Sequence, residues 1–214
     1  MVDVKTLDDK GFFVLVPETS DHPVFGVSLD RYFCGENWDC AKSLVAKSGG
    51  FVLPLVYGVE FYRLLRSDSD LFCADGSRMS SHHRKLVVDD IFGVVPPYRG
   101  EWFDNVFSKD GGDMVVRYGK FGSDGILSEV TEPLDDCLSK NKTPGIDLDY
   151  WLKNPTRQGL PAKNTTDGSF YYWYPRDGDV ARFGADSGRA WLGCNGSSQV
   201  SDSGLGVRVA KIFK

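Results

Sequence analysis

The sequence predicts an α+β fold, and three observations predict it. Strand-like apolar runs stand near both ends, two helix patterns follow the first of them, and short apolar segments broken by Gly, Asp and Ser fill the middle. Gly11-Phe-Phe-Val-Leu-Val-Pro17 is a continuous apolar run bounded by Gly and Pro, which reads as a buried strand, and Val24–Leu29 reads as a second short one. Asn37–Lys47 carries an Asn cap, apolar positions Trp38, Ala41, Leu44 and Val45 at helical spacing, and Gly49-Gly50 as a stop. Leu53–Arg66 has Pro54 at its entry and reads as a second helix. The two are expected to pack as a pair against one sheet.

From Leu71 to Leu138 the reading is an insertion-rich region of strands and turns, with strands at Lys85–Val88, Asp90–Val95, Asp113–Tyr118 and Gly125–Val130. Asp147–Asn154 reads as a short helical turn ended by Pro155. The last strand is Leu205–Phe213, and pairing it antiparallel with Gly11–Pro17 would tie both termini into one sheet. No solenoid period is visible, so residues 1–214 are read as a single domain.

Composition sets limits on function. A hydrophobic share of 41% and an aromatic share of 13% supply a packed core. The net charge of −5, with no run of Lys or Arg, disfavours nucleic-acid binding. No apolar stretch reaches the roughly 18 residues of a membrane span, so no membrane insertion is expected. The first ten residues mix charges of both signs, unlike a signal peptide; the expected location is cytoplasmic by default, with surface display in a larger assembly left open. Five cysteines, an odd number, favour reduced and buried thiols, although Cys34 and Cys40 lie close enough in sequence to bridge in an oxidising compartment.

The chemistry concentrates between Asp167 and Gly204, where the aromatics crowd among Gly, Ser, Asn and Asp without helical or strand periodicity. Tyr and Trp offer rigid contact area at low entropy cost, and the small polar residues offer adaptable hydrogen bonding, so this is the composition of a paratope. The competing reading is a Gly-rich loop whose aromatics are core. Consecutive residues such as Tyr171 to Tyr174 cannot all point inward from an extended chain.

The closing Gly204-Leu-Gly-Val-Arg-Val-Ala210, the preceding Arg189-Ala-Trp-Leu-Gly-Cys194 and the lead-in from Asn164 to Tyr174 carry a resemblance. The ending is similar to that of formylglycine-generating-type C-type-lectin domains and of variable proteins of diversity-generating retroelements. The whole chain most resembles an archaeal variable protein of that kind. The resemblance implies a C-type-lectin-like fold with two helices on small antiparallel sheets. It also implies a hypervariable region at about 167–205, recoded at template adenines by an error-prone reverse transcriptase. It assigns Val180, Ala181, Phe183, Leu192, Gly193, Gly206, Val207, Arg208 and Val209 to the scaffold. The expected ligand contacts are Tyr171, Tyr172, Tyr174, Asp177, Asp179, Asp186, Ser187, Trp191, Asn195, Ser197, Ser201 and Asp202. Trp191 reads equally as core, and Asp177-Gly and Asp186-Ser-Gly also read as turns.

Enzyme readings find less support. The formylglycine generators use a cysteine pair close to the C-terminus, whereas here Cys194 stands alone there and the next cysteine is Cys137. Cys73, His82, His83, Asp89 and Asp90 lack the spacing of a metal site, and Asp177, Asp179, Asp186 and Asp202 do not form a calcium loop. Asp135-Asp136 reads as a solvated acidic pair, and no nucleophile-elbow, P-loop or dinucleotide motif occurs. The sequence therefore predicts a binding protein without catalytic residues, metal or cofactor, whose ligand is macromolecular and expected to be a protein. A formylglycine-generator-like oxidase and a viral or phage receptor-binding protein are the alternatives. Oligomeric state is left open.

Overall fold

The computed structural model describes residues 4–96, 99–134, 136–186 and 188–213. The two N-terminal apolar runs form β1 (Phe13–Val16) and β2 (Phe25–Ser28), which pair antiparallel. The Asn37 side chain accepts from the Cys40 amide and opens α1 (Trp38–Lys47), and a short β3 (Phe51–Val52) follows. Pro54 stands at the N-cap of α2 (Leu55–Leu65), where its missing N–H costs nothing.

The next element departs from expectation. The valines of Lys85–Val88 and Asp90–Val95 do not form strands: residues Ser81–Phe92 are the helix α3. The Ser80 hydroxyl accepts from the His83 amide, and the buried residues Val87 and Ile91 lie four apart, so a cap and a helical period outweigh β-propensity. His82 and His83 therefore sit on the first turn of a helix.

Three long strands come next: β4 (Arg99–Asp110), β5 (Asp113–Phe121) and β6 (Leu127–Pro133). The β4–β5 hairpin turns on Gly111 and Gly112, whose φ values of 58° and 103° meet the demand of a two-residue I′-type loop for left-handed backbone. The chain continues through β7 (Lys142–Ile146), α4 (Leu148–Lys153), β8 (Phe170–Trp173), β9 (Asp179–Asp186) and β10 (Arg189–Ser197), and closes with β11 (Leu205–Gly206) and β12 (Val209–Lys211). The expected final strand is thus broken: only an isolated bridge from Val207 to Tyr32 lies between its two halves.

The fold is α+β, with two sheets among the described residues. One has the order β1-β2-β12-β3, so the first and last strands share a sheet, but β12 pairs with β2 and β3 instead of β1. The other runs β6-β5-β4-β9-β10-β8-β7, with β11 alongside β4. Its β10–β8 contact is parallel.

Side-chain alternation divides the large sheet into two faces. Phe103 and Phe107 of β4, Ala181 and Phe183 of β9, Leu192 and Cys194 of β10, and Phe170 and Tyr172 of β8 join one core, shared with α2, α3 and Trp151 of α4. Trp102 and Val180, on the opposite face, join a second core with Trp38, Ala41 and Val45 of α1, and with Val207 and Val209. The first two helices therefore serve different cores and do not pack as a pair. α1 and the C-terminal strand cover the second face at its β4 end, and the β10 and β8 end of that face is left half-open.

His22 ties the loop before β2 to α2. Its Nε2 lies 2.5 Å from Glu60 Oε2, and its ring packs against Phe25, Tyr57 and Phe121. Burial alone would lower its pKa, but the Glu60 hydrogen bond outweighs it, with further support from the Pro23 carbonyl and Asp21, and the pKa rises above 6.5. A raised folded pKa contributes stability that is complete below the unfolded value and is lost as pH climbs through the folded one. The stability difference between wild type and His22→Gln, read from urea midpoints, should shrink from about pH 6 upward. A pH-independent difference would contradict the pair.

Candidate ligand-binding face

Local sequence decides which side chains reach the half-open surface. In β8, β9 and β10 successive residues point to opposite faces. Tyr171 and Trp173 of β8, Trp191 of β10 and Arg182 of β9 are half-buried, whereas their neighbours Tyr172, Leu192, Ala181 and Phe183 are sealed in the core. Parallel pairing sets Trp191 beside Tyr171 and Gly193 beside Trp173, and antiparallel pairing sets Trp191 opposite Gly184.

These groups form a continuous ladder across the sheet. Asp186 bonds Arg189 at 2.9 Å, and the Arg189 guanidinium lies 5.0 Å from the Tyr171 ring centroid. Tyr171 meets Trp173 at 5.9 Å, and Trp173 meets Trp191 edge-to-face at 5.7 Å and 82°. The Arg182 guanidinium then sits 5.1 Å from Trp191 and 5.9 Å from Trp102. Each aromatic or cation–π contact contributes on the order of 0.5–1.5 kcal/mol, so the ladder orders itself without a ligand. Asp186 raises the Arg189 pKa, while desolvation lowers that of Arg182, which makes no ion pair among the described residues.

Two glycines let the Trp191 indole lie along the sheet. A Cβ on Gly184 would stand 2.5 Å from Trp191 Cζ2, and one on Gly193 would stand 3.2 Å from Cζ3. Gly184→Ala should lift the indole, change tryptophan fluorescence and destabilise the protein by about 1–3 kcal/mol through overpacking. Unchanged emission and stability would mean that the ring does not rest there.

Beneath the ladder, Arg99, Arg182, Asp186, Trp191, Asp202 and Leu205 line a cleft of about 180 Å³. Three buried donors at this place, Nε of Arg182 and Nε1 of Trp191 and Trp102, have no hydrogen-bond partner among the described residues. Leaving a buried donor unmatched costs on the order of 1–3 kcal/mol.

The expected contact residues divide accordingly. Tyr171, Asp186 and Trp191 belong to the ladder. Asp202 lines the cleft, and Asn195 Oδ1 stands over the same face beside Gly193. Tyr172 is a correction: it is 0% exposed, packs in the first core, and burial raises its hydroxyl pKa far above 10. Tyr174 lines a different cavity with Asp113 and Lys163. Asp177 is committed to the turn, accepting from the Lys109 amide at 2.9 Å. Asp179 and Ser197 pair at the far end of the β9–β10 hairpin, and Ser201 is exposed in the loop before β11. Ser187 lies outside the described residues, as does Asp135. The absence of strand periodicity expected for this region is also corrected, since β8, β9 and β10 occupy it.

Sequence reasoning missed Trp173, Arg182 and Arg189. A period of two was present, with Tyr171 and Trp173 alternating against Phe170 and Tyr172, but large aromatics on both faces hid it. The residues assigned to the scaffold are all buried, including Val180, Leu192, Val207, Arg208 and Val209. Cys73, Cys137 and Cys194 are buried free thiols, and Cys34 and Cys40 are exposed free thiols. Burial pushes the Cys194 thiol well up, away from the thiolate that cysteine chemistry requires. No group of three metal-binding side chains occurs among the described residues, and no helix there is long and apolar enough to cross a membrane. No protein-family model matches the chain, and comparison with curated proteins and with solved structures finds no significant match.

Proposed function

We propose that this chain is a non-enzymatic binding protein that presents a diversified ligand surface on a C-type-lectin-like scaffold, as a variable protein of a diversity-generating retroelement. The observation that carries this reading is the ladder Asp186–Arg189–Tyr171–Trp173–Trp191–Arg182, half-open on one face of three strands whose other face is core. Such a layout lets outward residues change without cost to the fold, because substitutions away from the core usually move stability within about 0.5 kcal/mol. Rigid aromatics flanked by charged groups suit a macromolecular, protein ligand. Among the proposed contacts, Tyr171, Asp186, Trp191, Asn195 and Asp202 form the coherent set, with Trp173, Arg182 and Arg189 added. The deeply buried Cys194 supports binding over the oxidase alternative.

The test is the flanking DNA. A near-copy of the codons for residues around 170–205, differing at template adenines and close to a reverse transcriptase gene, is the expected finding. A locus with neither would remove the diversification claim and leave a binding face of fixed sequence.

A further inference from the structure

We infer that the cleft beneath Trp191 is a carboxylate pocket, built to receive an acidic side chain of a protein ligand on the Arg182 guanidinium. This rests on the reading of the sheet face as a ligand surface and specifies the chemistry of its centre. The three unmatched groups at this place, Nε of Arg182 and Nε1 of Trp102 and Trp191, are all donors, and neither guanidinium nor indole can accept. The missing partner is therefore an acceptor. The nearby acids do not supply it: Asp186 is bonded to Arg189, and Asp202 Oδ1 accepts from the Gly204 amide at 2.8 Å. Asp179 and Asp202 act on Arg182 only as longer-range charges. Arg99, the other cation of the cleft, is already engaged by Asp90 and by the carbonyls of Asp89, Asp90, Gly93 and Val95. Arg182 alone keeps an uncommitted charge.

Its geometry suits the role. Held between two tryptophan rings, the planar fork is oriented before any ligand arrives, so little rotamer entropy remains to be lost on bidentate binding. The cleft, at about 180 Å³, has room for a side chain and not for a folded element.

The experiment is an NMR titration of the full chain, following the indole Nε1–H signals of Trp102 and Trp191. The probes are N-acetyl-glutamate methylamide and its glutamine counterpart. The glutamate probe should shift both indole signals saturably at roughly millimolar concentration. The glutamine probe should not, and Arg182→Gln should weaken the response at least tenfold. Arg182→Lys keeps the charge but loses the stacked fork, and should weaken it several-fold even if the Gln variant fails to fold. Equal response to both probes, or full binding in the Lys variant, overturns the pocket. Glucuronate is the comparison arm: a response to it and not to the glutamate probe would overturn the protein source. The outcome is independent of the flanking DNA, so the pocket and the diversification reading fail separately.

Discussion

Arg208→Ala is expected to destabilise the protein by about 3–5 kcal/mol, the typical cost of removing one partner from a buried ion pair. Arg208 is 1% exposed. Its Nε bonds Glu101 at 2.7 Å, one terminal nitrogen bonds Asp90 at 2.7 Å, and the other reaches the carbonyls of Ser28 and Leu29. Glu101, itself 4% exposed, also accepts from the Tyr62 hydroxyl at 3.1 Å. The network thus joins the C-terminal segment to β4, α2, α3 and the end of β2. Truncation strands Glu101 as an uncompensated buried charge, and with a total stability of roughly 5–15 kcal/mol that loss is severe. Replacing both groups with apolar residues, as in Arg208→Met with Glu101→Met, should recover part of it, because no buried charge is then left without a partner. Urea unfolding distinguishes the cases. A single variant within about 0.5 kcal/mol of wild type would contradict the network.

Tyr172→Ala should cost about 3–5 kcal/mol, as large-to-small changes of core aromatics do. Its outward neighbour Tyr171→Ala should cost under about 1.5 kcal/mol, mostly the lost ring contacts. Tyr172→Phe separates packing from polarity. The buried Tyr172 hydroxyl has no hydrogen-bond partner among the described residues, so deleting it should leave the protein equal or up to about 1–3 kcal/mol more stable. Thermal melts of the three variants check the order Phe ≥ wild type > Tyr171→Ala > Tyr172→Ala. Equal melting of the two alanine variants would erase the division between face and core.

Much of the fold was legible where one physical signal dominated. The Asn37 cap, Pro54 and the apolar run at Phe13–Val16 each mark an element that formed where expected. β4 escaped notice because Glu101, Asp104 and Asn105 interrupt its apolar residues. All three are buried with distant partners: Glu101 with Arg208, Asp104 with Lys42 at 2.5 Å, and Asn105 with the Leu55 amide at 2.7 Å. Such partners are invisible to local periodicity. The same holds for β12, whose choice of β2 over β1 depends on tertiary packing and not on its own pattern. In the candidate site the composition pointed to the right segment, but one-residue alternation sent Tyr171 outward and Tyr172 inward, and only strand register separates them.

The central claim is that β8, β9 and β10 carry a changeable outer face on a fixed inner one. Sequencing this gene from many cells of one population tests it most directly. Expected are substitutions concentrated at Tyr171, Asp186, Trp191, Asn195 and Asp202, with Tyr172, Val180, Phe183, Leu192 and Val207 unchanged. Substitutions spread evenly over the two sets, or confined to the inner one, would contradict the claim.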